Sequence, residues 1–388
     1  MTSLCLVGGD LVLPTRIFRG DLVVENGRIS TIAGSAPGAG GDAVALNCDG
    51  LLVAPGFIDW QVNGAAGIDL TRMPDAVYKV AQQLACYGVT RFCPTAITCD
   101  GEMRARVVAM AKEVARDPLR GDGARIHGWH LEGPWLNEDR SGVHDAAHFD
   151  SPAIDVAREL SRGQGIAVVT LAPELPGSLR VIAALRAAGV VVSIGHTTAS
   201  LPEVTDAIAV GATAVTHLFN AMPGLHHRDP GVVGAALGGN ELICGVIVDG
   251  HHVDPIVISA IWRALGAERF SLVTDATAAL GMPDGADSPT HLPLGENDVQ
   301  LVGGVVRDGD GVLAGSALSM DQAVRNLVDW SDADVPGALH AASGVAARLL
   351  GLTDVGEIRL GWVADLVVLT PDLHVVYTVV DGRVVYAA

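Results

Sequence analysis

Residues 166–217 read IAVVTLAPELPGSLRVIAALRAAGVVVSIGHTTASLPEVTDAIAVGATAVTH, and this stretch decides the fold. Three apolar runs rich in valine, isoleucine and alanine alternate in it with two segments of helical periodicity. Parallel strands that are buried on both faces read as continuous apolar runs of this kind, and helices connect them. The stretch therefore predicts three neighbouring parallel strands joined by helices.

The same alternation continues in both directions along the chain. The eight candidate strands are LLVAPGFID (51–59), VTRFCPT (89–95), RIHGWHLE (125–132), IAVVTLAPE (166–174), VVVSIGH (190–196), ATAVTH (212–217), LICGVIVDG (242–250) and FSLVTDA (270–276). Eight strands alternating with helices predict a (β/α)8 barrel. A doubly wound open sheet is the alternative, and its nucleotide-binding form is disfavoured because no glycine-rich phosphate-binding motif follows a strand.

Both ends of the chain alternate apolar and polar residues, which is typical of half-buried strands. We predict that residues 1–50 and 357–388 form one small β-sandwich domain and that residues 51–356 form the barrel. The alternative is that each end is a separate hairpin that decorates the barrel. The Gly/Pro/Asp-rich segment 281–298 predicts a loop or an inserted hairpin.

The formal charge of −19 excludes nucleic acid and anionic membranes as favoured partners. The apolar runs are too short and too often interrupted to span a bilayer, and the N-terminus lacks the basic region of a signal peptide. We therefore expect a cytoplasmic protein. Its six cysteines contain no CxxC pair and are expected to be reduced thiols without a function.

Four polar side chains stand where predicted strands end: Glu132, His196, His217 and Asp275. In a barrel all carboxyl-terminal strand ends open on one face, so these side chains should converge. Two histidines and one glutamate suffice to bind a catalytic divalent ion, which activates water and polarises a carbonyl group. The remaining carboxylate, Asp275, is placed to accept the proton of that water and to pass it to a leaving amine.

Each of these residues also has a structural interpretation. A lone histidine at a strand end is more often hydrogen-bonded than metal-bound, Glu132 could form a salt bridge at the rim, and Asp275 could cap a helix. Four independent structural roles on one face of a barrel are less probable than one shared catalytic role, so the catalytic interpretation is favoured.

Eight motifs carry a resemblance to a known family: PGFIDWQVNG (55–64), HLEGPWLN (130–137), GHTTAS (195–200), THLFNAM (216–222), RDPG (228–231), DGHHV (249–253), VTDATAALG (273–281) and LAGSALSM (313–320). Together they resemble the N-acetylglucosamine-6-phosphate deacetylases of the amidohydrolase superfamily. The resemblance covers essentially the whole chain. It implies hydrolysis of the acetamide of N-acetylglucosamine 6-phosphate, a step in amino-sugar catabolism and recycling.

The motif of the first strand departs from the wider superfamily. Most members carry His-x-His there and a second ligand that bridges two metals, whereas this chain has Gln61-Val62-Asn63. An amide is a poor substitute for imidazole on a zinc-like ion. We therefore expect one divalent ion per chain, bound by Glu132, His196 and His217. Zn²⁺ is the first choice, and Fe²⁺, Mn²⁺ and Co²⁺ also suit these ligands.

The resemblance implies roles for further residues. His144 resembles the histidine that holds the acetyl oxygen as negative charge develops on it. Arg228 resembles an arginine that reaches the phosphate across a dimer interface, so a homodimer is expected. The residues that the resemblance places at the substrate are Gln61, Asn63, Val143, Asn220, Ala221, Arg228, His252, Leu313, Ala314 and Gly315.

Three other functions remain open at this point. The 4-epimer, N-acetylgalactosamine 6-phosphate, differs at one hydroxyl group, and the sequence does not show which pocket groups bind it. Hydrolases of N-acyl amino acids or cyclic amides would more naturally retain His-x-His. A barrel that lost its metal and acts as an interaction scaffold is disfavoured because all four strand-end residues are present.

Overall fold

The computed structural model describes residues 3–34, 44–284 and 289–388. The first two residues of the predicted β domain, the stretch 35–43 and the part 285–288 of the predicted loop 281–298 lie outside the described residues. The described chain forms a barrel of parallel strands, a sheet built from both chain ends and a small inserted sheet.

The chain begins with five strands of the terminal sheet: β1 (Leu4–Leu13), β2 (Arg16–Glu25), β3 (Arg28–Ala33), β4 (Val44–Asn47) and β5 (Leu52–Pro55). β1 pairs antiparallel with β2 and parallel with both β4 and β5. The β2–β3 hairpin turns at Asn26 and Gly27, which both have positive φ (52° and 78°). A two-residue hairpin turn of this type requires that geometry, and Asn-Gly is its preferred sequence.

The central part of the chain supplies the barrel strands and one short hairpin: β6 (Phe57–Val62), β7 (Gly64–Ala65), β8 (Ile68–Asp69), β9 (Val89–Ile97), β10 (Arg125–Ile126), β11 (Trp129–Glu132), β12 (Ile166–Leu171), β13 (Val191–Ile194), β14 (Ala212–Val215), β15 (Ile243–Val246) and β16 (Phe270–Leu272). β10 and β11 are two pieces of the third barrel strand, because both pair with β9 and the chain bends between them at Gly128, whose φ is 119°. β6 is the first barrel strand, and β7 and β8 pair only with each other.

Hydrogen bonds between the chain that follows β16 and the end of β6 close the barrel. The amide of Asp275 donates to the carbonyl of Gln61 at 3.0 Å, and the amide of Asn63 donates to the carbonyl of Ala276 at 2.7 Å. The (β/α)8 prediction is confirmed, and the open-sheet alternative is wrong. Nearly every side chain of the barrel strands is buried, as a sheet covered on both faces requires.

The helices that cover the barrel are α1 (Val77–Ala85), α2 (Gly101–Arg116), α3 (Ile154–Glu159), α4 (Ser178–Ala187), α5 (Leu201–Val210), α6 (Gly231–Gly238), α7 (Pro255–Leu265), α8 (Met320–Trp330), α9 (Val335–Ala341) and α10 (Gly344–Leu349). α5 begins with a capping box, in which Ser200 and Glu203 satisfy each other's backbone amides. None of the helices in the described ranges has the length and apolar character needed to cross a bilayer.

The segment between the last barrel strand and α8 forms a three-stranded antiparallel sheet: β17 (Thr290–Leu294), β18 (Asn297–Val302) and β19 (Val305–Arg307). Its apolar side chains, among them Leu294 and Val299, pack against Ile97 at the end of β9. The side chain of Asn297 donates to the carbonyl of Val143 at 2.8 Å. The inserted hairpin predicted from the sequence is thus present, with a third strand, and it lies beside the barrel mouth.

The last strands, β20 (Leu366–Leu369), β21 (Val375–Val380) and β22 (Arg383–Ala387), return to the terminal sheet. The sheet runs β22-β21-β20-β5-β1-β2-β3, and β20 pairs antiparallel with β5. Both chain ends therefore share one small β domain with its own core, as predicted, and separate hairpins are wrong. The limits 1–50, 51–356 and 357–388 stay a prediction.

The predicted first strand, 51–59, is two strands that belong to different sheets. β5 lies in the terminal sheet and β6 in the barrel, with Gly56 between them. A Cβ atom at Gly56 would lie 2.1 Å from a methyl carbon of Thr90, so only glycine lets the chain pass there. Partly buried ion pairs from Arg91 to Asp365 (2.6 Å) and from Arg125 to Asp381 (2.6 Å) join the barrel to the terminal sheet.

Candidate active site

Glu132, His196 and His217 meet at the carboxyl end of the barrel. Oε1 of Glu132 lies 3.1 Å from Nε2 of His196 and 3.0 Å from Nε2 of His217, and the two Nε2 atoms are 3.1 Å apart. All three side chains are buried. Each residue ends a strand or follows its end by two residues, so the barrel brings them together although they are far apart in sequence.

The hydrogen bonding of His196 shows that this group of atoms suits a cation. Its Nδ1 lies 2.8 Å from the carbonyl oxygen of Arg140, which can only accept, so Nδ1 carries the proton of the neutral ring. Nε2 then presents a lone pair to the carboxylate of Glu132. Two lone-pair atoms at this distance repel each other unless a proton or a cation lies between them. A His2Glu set of converging ligands fits a divalent ion.

The pKa values of the group indicate the same demand for positive charge. Burial alone would raise the pKa of Glu132, but the hydrogen bonds and charges of His196 and His217 outweigh it and hold the pKa well below its usual range. Burial alone would lower the pKa of His217, but Glu132 and Asp275 outweigh it and raise the pKa. Both shifts favour positive charge at the position between Glu132 and His217, where a bound metal ion would compete with protons.

Asp275 lies beside Glu132, His196 and His217 and is also buried. Its Oδ1 accepts a hydrogen bond from Nδ2 of Asn63 at 2.7 Å. Burial, followed by the charge of Glu132, raises the pKa of Asp275 to about 6. Such a carboxylate is ionised at neutral pH but is a stronger base than an exposed aspartate, which suits proton transfer.

His144 approaches the same group from the loop after β11. Its Nδ1 accepts a hydrogen bond from the backbone amide of Thr98 at 3.2 Å, so the proton of the neutral ring lies on Nε2. Nε2 lies 3.9 Å from Oε2 of Glu132. Burial, followed by the charge of His196, lowers the pKa of His144 to about 3. His144 is therefore a neutral ring whose Nε2–H faces the ligand group.

These residues open on a cavity of about 380 Å³. Twelve of the residues predicted from the sequence line it: Asn63, Glu132, Val143, His144, His196, His217, Asn220, Ala221, His252, Asp275, Leu313 and Gly315. The strand ends and the loops after them thus bring most of the predicted site together.

Three predicted residues do not line this cavity. Gln61 and Ala314 are fully buried behind its wall. Arg228 is exposed on the loop that precedes α6. No other atom of the described chain forms a hydrogen bond with the buried amide of Gln61, which lies on β6.

Sequence reasoning missed Arg140 and Asp249. Arg140 is the one Lys or Arg of the described residues that lines the cavity, and its Nε is buried without a hydrogen-bond partner in that part of the chain. Asp249 accepts a 2.6 Å hydrogen bond from Nδ1 of His252 and fixes the orientation of that ring. The Asp249–His252 spacing in DGHHV could have suggested the pair, whereas the sequence holds no signal for Arg140.

Comparison with known proteins places the chain in a family. The model of the amidohydrolase family matches residues 52–385. The N-acetylglucosamine-6-phosphate deacetylase of Homo sapiens is 39% identical over 357 residues, which cover 88% of this chain and 85% of the human protein. The chain belongs to the N-acetylglucosamine-6-phosphate deacetylase family of amidohydrolases.

Two further relatives are deacetylases of amino-sugar phosphates. The structure of a mutant of the Mycobacterium smegmatis N-acetyl-D-glucosamine-6-phosphate deacetylase in complex with N-acetyl-D-glucosamine-6-phosphate has a TM-score of 0.90 and 33% identity, and the match covers 100% of both chains. The N-acetylgalactosamine-6-phosphate deacetylase of Escherichia coli O157:H7 is 38% identical, over 86% of this chain and 88% of its own length. The resemblance read from the sequence motifs is confirmed.

Proposed function

We propose that this amidohydrolase hydrolyses the acetamide of N-acetyl-D-glucosamine 6-phosphate to D-glucosamine 6-phosphate and acetate. The observation that carries the proposal is the convergence of Glu132, His196 and His217 with the buried base Asp275 in one cavity. The human and mycobacterial relatives favour the gluco compound over its 4-epimer. Burial of four ionisable side chains costs desolvation free energy, and a scaffold without a metal would gain nothing that offsets this cost.

The proposed metal site consists of Glu132, His196 and His217. A divalent ion held by these residues would lower the pKa of a bound water molecule and polarise a carbonyl group. Asp275 accepts the proton of the attacking water, whose oxygen bonds to the carbonyl carbon, and it passes the proton to the nitrogen as the carbon–nitrogen bond breaks. Nε2–H of His144 donates to the carbonyl oxygen while negative charge develops on it.

Another part of the cavity lining suits the sugar phosphate. Asn220 and Ala221, which follow β14, line the cavity, and so does His252, whose Nδ1 is held by Asp249. This hydrogen bond leaves Nε2 of His252 free to contact an anion. Val143, Leu313 and Gly315 supply apolar and backbone surface, against which we place the sugar ring.

A panel of N-acetylated sugars tests the proposed function. Gluco and galacto sugars, each with and without a 6-phosphate, are incubated with the metal-loaded protein, and released acetate is measured. We expect the highest kcat/KM for N-acetylglucosamine 6-phosphate. A higher value for the galacto phosphate would assign the substrate to the 4-epimer, and no acetate from any of them would contradict deacetylation.

We predict about one catalytic divalent ion per chain, because Gln61 and Asn63 stand where a second metal would need imidazole ligands. Chelation should abolish acetate release, and one equivalent of Zn²⁺, Fe²⁺, Mn²⁺ or Co²⁺ should restore it. Native mass spectrometry and elemental analysis give the stoichiometry. Two tightly bound ions, both required for turnover, would show that the single-metal assignment is wrong.

Arg228 is proposed to reach the phosphate in the neighbouring chain of a homodimer. Its side chain is exposed and outside the cavity of its own chain, so a contact with substrate requires another subunit. Arg228→Ala should raise KM for the phosphorylated sugar about tenfold or more and leave kcat nearly unchanged, because the lost bond is to a charged group remote from the acetamide. The unphosphorylated sugar should be unaffected.

Mixed dimers decide whether Arg228 acts across the interface. Inactive Asp275→Asn chains are exchanged with Arg228→Ala chains, and KM is determined from acetate release over a range of substrate concentrations. Trans action predicts that one site of each mixed dimer combines a good Asp275 with a good Arg228 and regains low KM. Proven exchange without recovery would exclude trans action.

All six cysteines lie among the described residues and are free thiols. Unpaired thiols are typical of proteins in reducing compartments and support the proposed cytoplasmic location.

A further inference from the structure

One carboxylate, that of Glu174, joins three loops at the mouth of the barrel. Glu174 follows β12, and its Oε1 accepts hydrogen bonds from Nδ2 of Asn137 (2.9 Å), the backbone amide of Thr198 (2.7 Å) and Oγ1 of Thr198 (3.2 Å). Its Oε2 accepts a bond from Oγ1 of Thr197 at 2.5 Å. Asn137 belongs to the loop after β11, and both threonines belong to the loop after β13.

These bonds surround the segment that carries His196. Thr197 is its direct neighbour in the chain, and the backbone amide of Asn137 donates to the carbonyl of His196 at 3.0 Å. His196 itself has a positive φ of 48°, a conformation that non-glycine residues rarely adopt unless the surrounding structure holds it. The partners of Glu174 thus hold the His196 backbone from both sides.

The same segment touches the part of the cavity lining proposed for the sugar phosphate. The backbone amide of Thr197 donates to the carbonyl of Ala221 at 3.1 Å. A displacement of Thr197 would therefore move both His196 and the segment that contains Ala221.

The bonding of Glu174 differs from that of a surface ion pair. None of the described Lys, Arg or His side chains forms a salt bridge with it, and its four bonds come from neutral donors on two other loops. A carboxylate that accepts this many bonds fixes the geometry of its donors, as the groups behind metal ligands do in other proteins.

We propose that Glu174 is a positioning residue that fixes the orientation of His196 toward the metal. The inference rests on the proposed assignment of His196 as a ligand. It concerns a residue that lies outside the cavity and outside the proposed ligand set.

The test is a comparison of metal binding, for which the probe is Co²⁺ alone. Glu174→Ala should bind Co²⁺ about 10–100-fold more weakly than the wild type, the usual loss when a group behind a metal ligand is removed. The visible absorption of bound Co²⁺ should also shift, because the ligand geometry around the ion changes. Neither measurement needs a substrate.

Glu203→Ala is the matched control. Glu203 lies in α5, directly after the loop that contains Thr197 and Thr198. Its carboxylate accepts hydrogen bonds from the amide and hydroxyl of Ser200 (2.8 and 2.7 Å) in the capping box of α5. This substitution should lower the Tm while Co²⁺ affinity and spectrum stay those of the wild type. If both variants lose Co²⁺ affinity in proportion to stability, Glu174 has only a structural role and the proposal fails.

Glu174→Gln and Thr197→Val separate the bonds. The glutamine carbonyl can keep the three bonds at Oε1 and its amide can donate to Oγ1 of Thr197, so Co²⁺ binding should be largely restored. Thr197→Val keeps the side-chain shape but removes two bonds, the one to Glu174 and the one that Oγ1 accepts from the amide of Ala199 at 2.9 Å. It should weaken Co²⁺ binding measurably even if Glu174→Ala does not fold.

Wild-type Co²⁺ affinity and spectrum in Glu174→Ala, or in Thr197→Val when the alanine variant does not fold, would overturn the role of Glu174. A wild-type protein that binds no Co²⁺ would instead overturn the metal site itself, and with it the proposed function.

Discussion

Asp275→Asn should fold and bind metal like the wild type but turn over substrate about 10²–10⁴-fold more slowly, the usual loss for a general base. Asparagine keeps the shape of the side chain but cannot accept the proton of the attacking water. The structure adds a reason to expect the upper part of this range. Burial and the charge of Glu132 make Asp275 a stronger base than an exposed aspartate, with a pKa of about 6.

The measurement is steady-state release of acetate at saturating substrate, with metal content determined on the same sample. A control is needed because Asn63 donates to Asp275 at 2.7 Å and could be displaced by an amide. Asn63→Ala, which removes this donor and leaves the carboxylate, should lose far less activity than Asp275→Asn. Turnover within a few-fold of the wild type in Asp275→Asn would show that another group takes the proton.

The dependence of kcat/KM on pH is a second test of Asp275 as the general base. A general base must be ionised, so kcat/KM should fall as the pH drops through the pKa of Asp275. That pKa is about 6 in the metal-free protein, and a bound cation would lower it, so the acid limb should lie at or below pH 6. Since Asn does not titrate, the residual activity of Asp275→Asn should lack this limb.

The sequence predicted the barrel well because its signal is local. Each strand is a run of apolar residues, and each carboxyl-terminal end is marked by a change to polar residues. The barrel then sends all of these ends to one face, so Glu132, His196 and His217 could be grouped without any knowledge of distances. The division of residues 51–59 between two sheets was missed because Gly56 interrupts no apolar pattern.

The parts of the site that were not predicted depend on contacts between loops. Arg140, Thr98 and Glu174 act through bonds to backbone atoms or to other loops, although Thr98 directly follows β9 and Glu174 ends the predicted strand 166–174. Their positions depend on how loops of different length fold against one another over the barrel mouth. No periodicity or spacing in the sequence specifies that packing.

The position of Ala314 illustrates the same limit within a motif. The LAGSALSM segment indicated substrate contact for three consecutive residues, but only Leu313 and Gly315 line the cavity. Ala314 points the other way, into the core of the inserted sheet with Val299 and Val306. Successive residues of an extended segment face opposite sides, so the middle residue was the one that could not share the site.

Replacing His144 should also have a large effect on catalysis, because its hydrogen bond to Thr98 fixes which ring nitrogen carries the proton. The amide of Thr98 is a donor, so it leaves Nδ1 of His144 no role except that of acceptor. Burial lowers the pKa of the ring to about 3, so the ring stays neutral at any pH at which the protein would be assayed. The neutral ring of His144 therefore keeps its proton on Nε2, and this N–H faces the space beside the proposed metal ligands.

His144→Ala should therefore lower kcat about 10²–10³-fold, the usual loss for a donor that stabilises a developing oxyanion, and should change KM little.

His148→Ala is the matched control: His148 lies on the same loop, pairs with Glu296 and does not line the cavity. Acetate release and Co²⁺ binding are measured for both variants. His148→Ala should retain wild-type kcat, and His144→Ala should bind Co²⁺ normally, because His144 does not belong to the proposed ligand set. A kcat loss in His144→Ala no greater than that in His148→Ala would assign the oxyanion contact to another group. A parallel loss of Co²⁺ affinity would place His144 among the groups that hold the metal.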